Sequence, residues 1–170
     1  MDDMDKAARL IDQAITQSRL NSLAVMLSLD CSQRVARITE ALKLLPPGAY
    51  LLGTGPSTVG ITPLTVDEVI LGRCATPSES HSETVVDYTV ADTAYFSPHE
   101  VSRVHAKVVR HQGSNGPEYA LVDLGSRSGT FINGHRLANE GIESALSPSD
   151  LISLGSTQVS TYIFWRSCGH

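Results

Sequence analysis

At Pro46-Pro47-Gly48 the hydrophobic pattern of the chain changes period, from the spacing of helices to the spacing of strands. Upstream, Met4, Ala7, Ala8, Ile11, Ala14 and Ile15 fall on one stripe of a 3.6-residue helix, and Val35, Ile38, Leu42 and Leu45 form a second stripe. Asp30 followed three positions later by Gln33 has the form of a capping box that starts the second helix. The two prolines end it, because proline lacks the amide donor and clashes with the preceding turn. Residues 20–29 (LNSLAVMLSL) fit helix or strand, so a helical hairpin and one long broken helix both remain open. Downstream, short β-rich runs alternate with turn residues: 49–53, 67–72, 84–90, 104–110, 118–124, 129–133, 150–154 and 158–165. Turn signals separate them at Gly113-Ser114-Asn115-Gly116-Pro117, Asn133-Gly134 and Ser147-Pro148. Many short strands with no helical pattern between them predict a twisted antiparallel β-sandwich. The expected organisation is a helical segment over 1–47, a mainly β domain over 48–166, and a short tail over 167–170.

Charge follows the same division. Residues 1–48 hold six cations and six acids, whereas the remainder holds seven cations and twelve acids and so carries the whole net charge of -5. An acidic chain makes nucleic acid and anionic membrane poor partners, since both demand a cationic surface. No apolar run approaches the roughly 18 residues of a bilayer span. The acidic start Met1-Asp2-Asp3 argues against a secretory signal peptide, and Cys31, Cys74 and Cys168 stand too far apart to suggest a disulfide framework. The expectation is a soluble, cytoplasmic protein of a reducing compartment.

Five of the seven cations of the β half lie between residues 73 and 127, and three of them sit in junctions rich in Gly and Ser. Arg73 follows Leu71-Gly72, Arg103 follows Ser102, and Arg127 lies inside Gly125-Ser126-Arg127-Ser128-Gly129. Arginines set among hydroxyls and glycines at loop tips suit a small, concentrated anion. The guanidinium fork pairs with phosphate, while hydroxyls and free backbone N–H groups fill its remaining acceptor sites. Lys107 and Arg110 read instead as a polar strand face. Between the first two arginine motifs, residues 74–102 carry many hydroxyls, five acids (Glu79, Glu83, Asp87, Asp92 and Glu100) and no cation, a composition that would disfavour acidic peptides near the site.

These motifs carry a family resemblance. Ile70-Leu71-Gly72-Arg73, then Val101-Ser102-Arg103-Val104-His105-Ala106, then Asp123-Leu124-Gly125-Ser126-Arg127-Ser128-Gly129-Thr130-Phe131-Ile132-Asn133-Gly134 resemble the forkhead-associated (FHA) domain in identity and order. Asp150-Leu151-Ile152-Ser153-Leu154-Gly155 is similar to a later strand of that family, with Ser149 where glycine is usual. The resemblance implies a sandwich of two twisted sheets that reads phosphothreonine peptides with the loops at one end. By position, Arg73 would contact the phosphate, Ser102 would donate its hydroxyl to it, Arg103 would flank the peptide, and Arg127 would reach toward it. Ser128 stands where the family has an Asn that grips the peptide main chain. Gly72, His105, Gly129, Thr130, Asn133 and Gly134 would support the binding loops.

The resemblance thus implies a phosphothreonine-binding adaptor in Ser/Thr kinase-linked signalling, with a phosphorylated protein or peptide as partner. Serine lacks the paired donor and acceptor of an amide, so Ser128 keeps a second reading open: the same fold binding a protein without phosphate. The helical stripes offer a surface that would pair two chains through residues 1–47, with packing on the sandwich as the alternative. No enzyme is expected. The 125–129 pentapeptide has Arg127 where a nucleophile elbow needs Ser, and Gly53-Thr54-Gly55 lacks the third glycine of a dinucleotide fingerprint. A Gly-Lys-Ser/Thr phosphate loop is absent, and the six histidines show no metal-ligand spacing, so neither cofactor nor metal is implied.

Overall fold

Leu, Ala and Met are strong helix formers, and the ambiguous stretch at 20–29 joins the first helix through Ser28. Helix α1 runs Asp3–Ser28 and α2 runs Cys31–Lys43, in a computed structural model that describes residues 3–55, 58, 60–73, 88–89 and 100–168. The interruption is chemical. Asp30 takes an extended backbone, its carboxylate accepts the Gln33 N–H at 2.9 Å, and its own N–H donates to the Gln33 side chain at 3.1 Å. That capping box satisfies two of the amides a new helix leaves without partners. The chain divides into two units, this helical one through Leu45 and a β unit from Pro46 onward.

The β unit contains β1 (Gly48–Gly53), β2 (Gly60–Pro63), β3 (Glu68–Gly72), β4 (Tyr88–Thr89), β5 (Ala106–Gly113), β6 (Gly116–Asp123), β7 (Thr130–Ile132), β8 (His135–Arg136), β9 (Glu143–Ala145), β10 (Leu151–Leu154) and β11 (Thr161–Ser167). They form two sheets, in the orders β2-β1-β11-β10-β7-β8 and β4-β3-β5-β6-β9. The β3–β4 pair is parallel, and the other described pairs are antiparallel. First and last long strands meet: β1 pairs along its length with β11, from Gly48 opposite Ser167 to Gly53 opposite Tyr162.

Alternation along the strands builds the core between the sheets. Leu51, Leu71, Leu121, Ile152 and Phe164 are wholly shielded and belong to one cluster, to which both sheets contribute. Fully burying such side chains contributes about 1.5–3 kcal/mol each. Tyr119 from β6 and Phe164 from β11 bridge the layers, ring centroids 5.3 Å apart and tilted by 50°. Between β3 and β5, Lys107 pairs with Glu68 at 2.6 Å, and at the far end of the same pair of strands Arg110 pairs with Asp67 at 2.7 Å.

Asn133 and Gly134 both take positive φ, 51° and 80°, and turn β7 into β8 with Ile132 opposite His135. Strands β2, β8 and β9 were not expected from the sequence. The expected strand at 84–90 is described only at Tyr88 and Thr89, and the rest of it lies outside the described residues. The same holds for residues 74–87 and 90–99 of the acidic stretch and for residues 169–170 of the tail.

Candidate functional site

Register brings three strand ends into one row. Leu71 at the end of β3 lies opposite Ala106 at the start of β5, and Ala106 lies opposite Asp123 at the end of β6. On the facing sheet, Thr130 at the start of β7 lies opposite Leu154 at the end of β10. The Thr130 hydroxyl donates to the Asp123 carboxylate and joins the two sheets at this edge. The loops that leave these strand ends carry the arginine motifs.

Buried His105 organises them. The Ser102 N–H donates to its Nδ1 at 3.0 Å, so Nδ1 carries no proton. The proton sits on Nε2, 3.1 Å from the Gly129 carbonyl that accepts it. One neutral ring therefore holds the loop of Ser102 against the loop of Gly129. Burial pushes the imidazole below its ordinary 6.5, against the opposing pull of the Gly129 carbonyl and the Asp123 and Glu100 carboxylates. Its backbone is fixed too: the N–H donates to the Leu71 carbonyl at 2.9 Å, and the carbonyl accepts the Leu124 N–H at 2.9 Å.

Ser102 is held at three atoms. Besides its N–H, its carbonyl accepts the Arg73 N–H at 3.2 Å, and its Oγ accepts the Arg127 N–H at 3.0 Å. An Oγ that accepts in this way keeps its own proton to donate outward. The backbones of Arg73 and Arg127 thus both bond to Ser102, and the structure brings these three expected residues together. Arg73 and Ser128 are half-buried, while Arg103 and Arg127 are exposed. Gly72 is buried at the end of β3.

Asp123 shapes the loop that presents Arg127. Its Oδ2 accepts the N–H groups of Gly125 and Ser126 at 3.1 Å each, and its Oδ1 accepts the Ser126 and Thr130 hydroxyls. Burial alone would raise this carboxyl, but the hydroxyl and amide donors outweigh it and hold it below its ordinary 3.8. Gly129 supplies the turn at φ 86°, a conformation open to glycine at little cost.

Asn133 and Gly134 stand at the other end of β7 from this loop. The Asn133 amide donates to Asp150 at 2.7 Å and accepts the Leu151 N–H at 2.9 Å, so it anchors the loop before β10. Glu100 is another departure from the sequence reading. It is buried and accepts the Thr157 N–H at 2.8 Å together with the Thr157 hydroxyl, so it serves as a tie to the β10–β11 turn. That tie needs Gly155, where a Cβ would stand 2.2 Å from Glu100 side-chain atoms. Two charged residues near the loop, Arg136 and Glu140, also escaped the sequence reading. Among the described residues, no group of three or more His, Cys, Asp or Glu is placed to hold a metal ion. No described helix is long and apolar enough to cross a membrane.

Comparison with known proteins gives a consistent result. The FHA domain family matches residues 69–155. The FHA domain of the CT664 protein from Chlamydia trachomatis is 21% identical, with 70% of this chain and 97% of that one covered at a TM-score of 0.50. The MEK1 FHA domain, solved in complex with a HOP1 phosphothreonine peptide, is 18% identical, with 72% and 99% covered at a TM-score of 0.51. The yeast Pml1 splicing factor is 15% identical, with 78% and 89% covered at a TM-score of 0.57. At these identities the likeness to the solved structures is one of fold. No curated protein sequence matches the chain.

Proposed function

Because the chain belongs to the FHA domain family, we propose that it binds partner proteins at phosphothreonine and works as an adaptor, without enzymatic activity, in Ser/Thr kinase-linked signalling. The observation that carries this reading is Ser102, whose carbonyl and Oγ accept the backbone N–H groups of Arg73 and Arg127. A phosphothreonine brings a charge of about -1.5 to -2 and three acceptor oxygens. In this reading the Arg73 guanidinium and the Ser102 hydroxyl hold the phosphate, and Arg103, Arg127 and Ser128 hold the peptide beside it. Each charge-assisted hydrogen bond contributes roughly 1.5–3 kcal/mol. Two or three of them make the difference between a bound phosphopeptide and an unbound dephosphorylated one.

The free thiols of Cys31 and Cys168 fit a reducing, cytoplasmic setting. Exposure of Ile11, Ile15, Val35 and Ile38 supports pairing of two chains through the helices. The phosphate-independent alternative rests on Ser128, which offers less grip on a peptide main chain than an Asn.

Fluorescence anisotropy with a phosphothreonine peptide library separates the two readings. Arg73→Ala should weaken binding of the selected peptides by about 2–5 kcal/mol, the cost of removing one partner of a desolvated charge pair. Binding that survives this substitution unchanged would favour the phosphate-independent reading.

A further inference from the structure

Two oppositely charged side chains flank the loop that presents Arg127 and Ser128. A Cβ added at Gly129 would stand 2.5 Å from Arg136 Nε and 3.0 Å from its Cζ, so the guanidinium lies across that glycine. The Gly129 carbonyl is already taken by His105 Nε2 at 3.1 Å and by the Gly155 N–H at 2.9 Å. Arg136 therefore covers the residue without bonding to that carbonyl as its main anchor. At the other end of the loop, a Cβ added at Gly125 would stand 2.7 Å from Glu140 Oε1 and 3.2 Å from its Oε2. The segment carrying Glu140 is fixed there, because the neighbouring Gly141 N–H donates to the Asp123 carbonyl at 2.9 Å.

Both side chains are exposed, and among the described residues neither forms an ion pair. Lys107 and Arg110, by contrast, are paired with Glu68 and Asp67. One short segment thus lays a cation over the last residue of the loop and an anion over its first, with Arg127 and Ser128 between them. The loop therefore carries charges of opposite sign at its two ends.

We propose that Arg136 and Glu140 are specificity-determining residues, which select an acidic side chain on one side of the phosphothreonine and a basic side chain on the other. The proposal rests on the phosphothreonine reading of the site and adds the class of sequence it prefers. Neither residue is one of those proposed to hold the phosphate, so each sets a preference between peptides and leaves the need for phosphate intact. Each preference should be about two- to fivefold in affinity, the range of an exposed ion pair, and should shrink with added salt.

The test uses the full chain and phosphothreonine peptide libraries in which each flanking position is fixed in turn as Asp, Lys or Ala. The wild-type protein should prefer Asp at one flank and Lys at the other. Arg136→Glu should reverse the first preference alone, and Glu140→Lys the second alone, with Arg136→Lys retaining the wild-type pattern. A charge reversal that leaves every flanking preference unchanged, while phosphate-dependent binding persists, overturns the proposal. A uniform loss for all peptides in Arg136→Lys and Arg136→Glu alike also overturns it, because it marks Arg136 as a prop for Gly129. If the wild-type chain binds no library member in a phosphate-dependent way, the reading of the site itself fails and this inference falls with it.

Discussion

A neutral imidazole, beside the Arg127 N–H bond to Ser102, holds two loops of the site together. His105 can accept from Ser102 and donate to Gly129 only while Nδ1 is bare, and a second proton would set two donors against each other. Because the folded pKa lies below the ordinary 6.5, the unfolded chain takes up a proton first as pH falls. The stability this histidine contributes is complete above about 6.5 and is lost as pH drops toward the lower folded value. Nitrogen-detected NMR at pH 6.5 should find His105 more neutral than charged, with the neutral ring's proton on Nε2. A mainly charged His105 at that pH, or a neutral ring with its proton on Nδ1, would contradict this arrangement. Asp123 works lower on the scale: its depressed pKa contributes stability above 3.8 that disappears as the carboxyl is protonated below it. Thr130→Val removes one of its donors and keeps the shape, so denaturant unfolding should show a loss of about 1–3 kcal/mol. An unchanged midpoint would mean that the Thr130 bond adds nothing to the fold.

At the scale of elements, the strands that alternation specifies most strongly are the ones a reader of the sequence recovers. In β3, Val69 and Leu71 point inward between Glu68 and Ile70, and β10 and β11 bring Ile152, Leu154 and Phe164 into the same core. The strands that escaped are short. Gly60–Pro63, His135–Arg136 and Glu143–Ala145 lie at sheet edges, where one side needs no partner and few apolar residues are required. The expected strand at 104–110 begins later, at Ala106, because residues 101–105 form the loop that His105 anchors. Arg73, Ser102 and Arg127 were legible because their motifs are local. Arg136 and Glu140 were not, since their approach to Gly129 and Gly125 depends on how the chain returns after the β7–β8 hairpin. Asn133 was legible as a turn residue, but its tie to Asp150 is a long-range contact with no local signal. Gly129→Ala tests the loop as an element. At φ 86° an alanine should cost roughly 1–2 kcal/mol in thermal unfolding and displace Arg136 as well. In the helical unit, Asp30→Ala should cost α2 about 1 kcal/mol, read as lost helical circular dichroism in the full chain.

For the whole molecule, the division at Leu45 and Pro46 separates a β unit from a helical unit in which Ile11, Ile15, Val35 and Ile38 are exposed. Helix α2 is 13 residues long, and isolated helices below about 12–15 residues are marginal in water. Pairing of two chains through these helices, as proposed, would cover the exposed side chains and bring two β units together. Light scattering on the full chain should then report a dimer, and Ile11→Glu combined with Ile38→Glu should return it to a monomer. Where the anion sits is read most directly by amide NMR of the full chain. Titration with a phosphothreonine peptide should shift the amides of Arg73, Ser102 and Arg127, and the same peptide without phosphate should leave them in place. Shifts confined to the strand residues around Lys107 and Arg110, or identical shifts with both peptides, would contradict that placement of the anion.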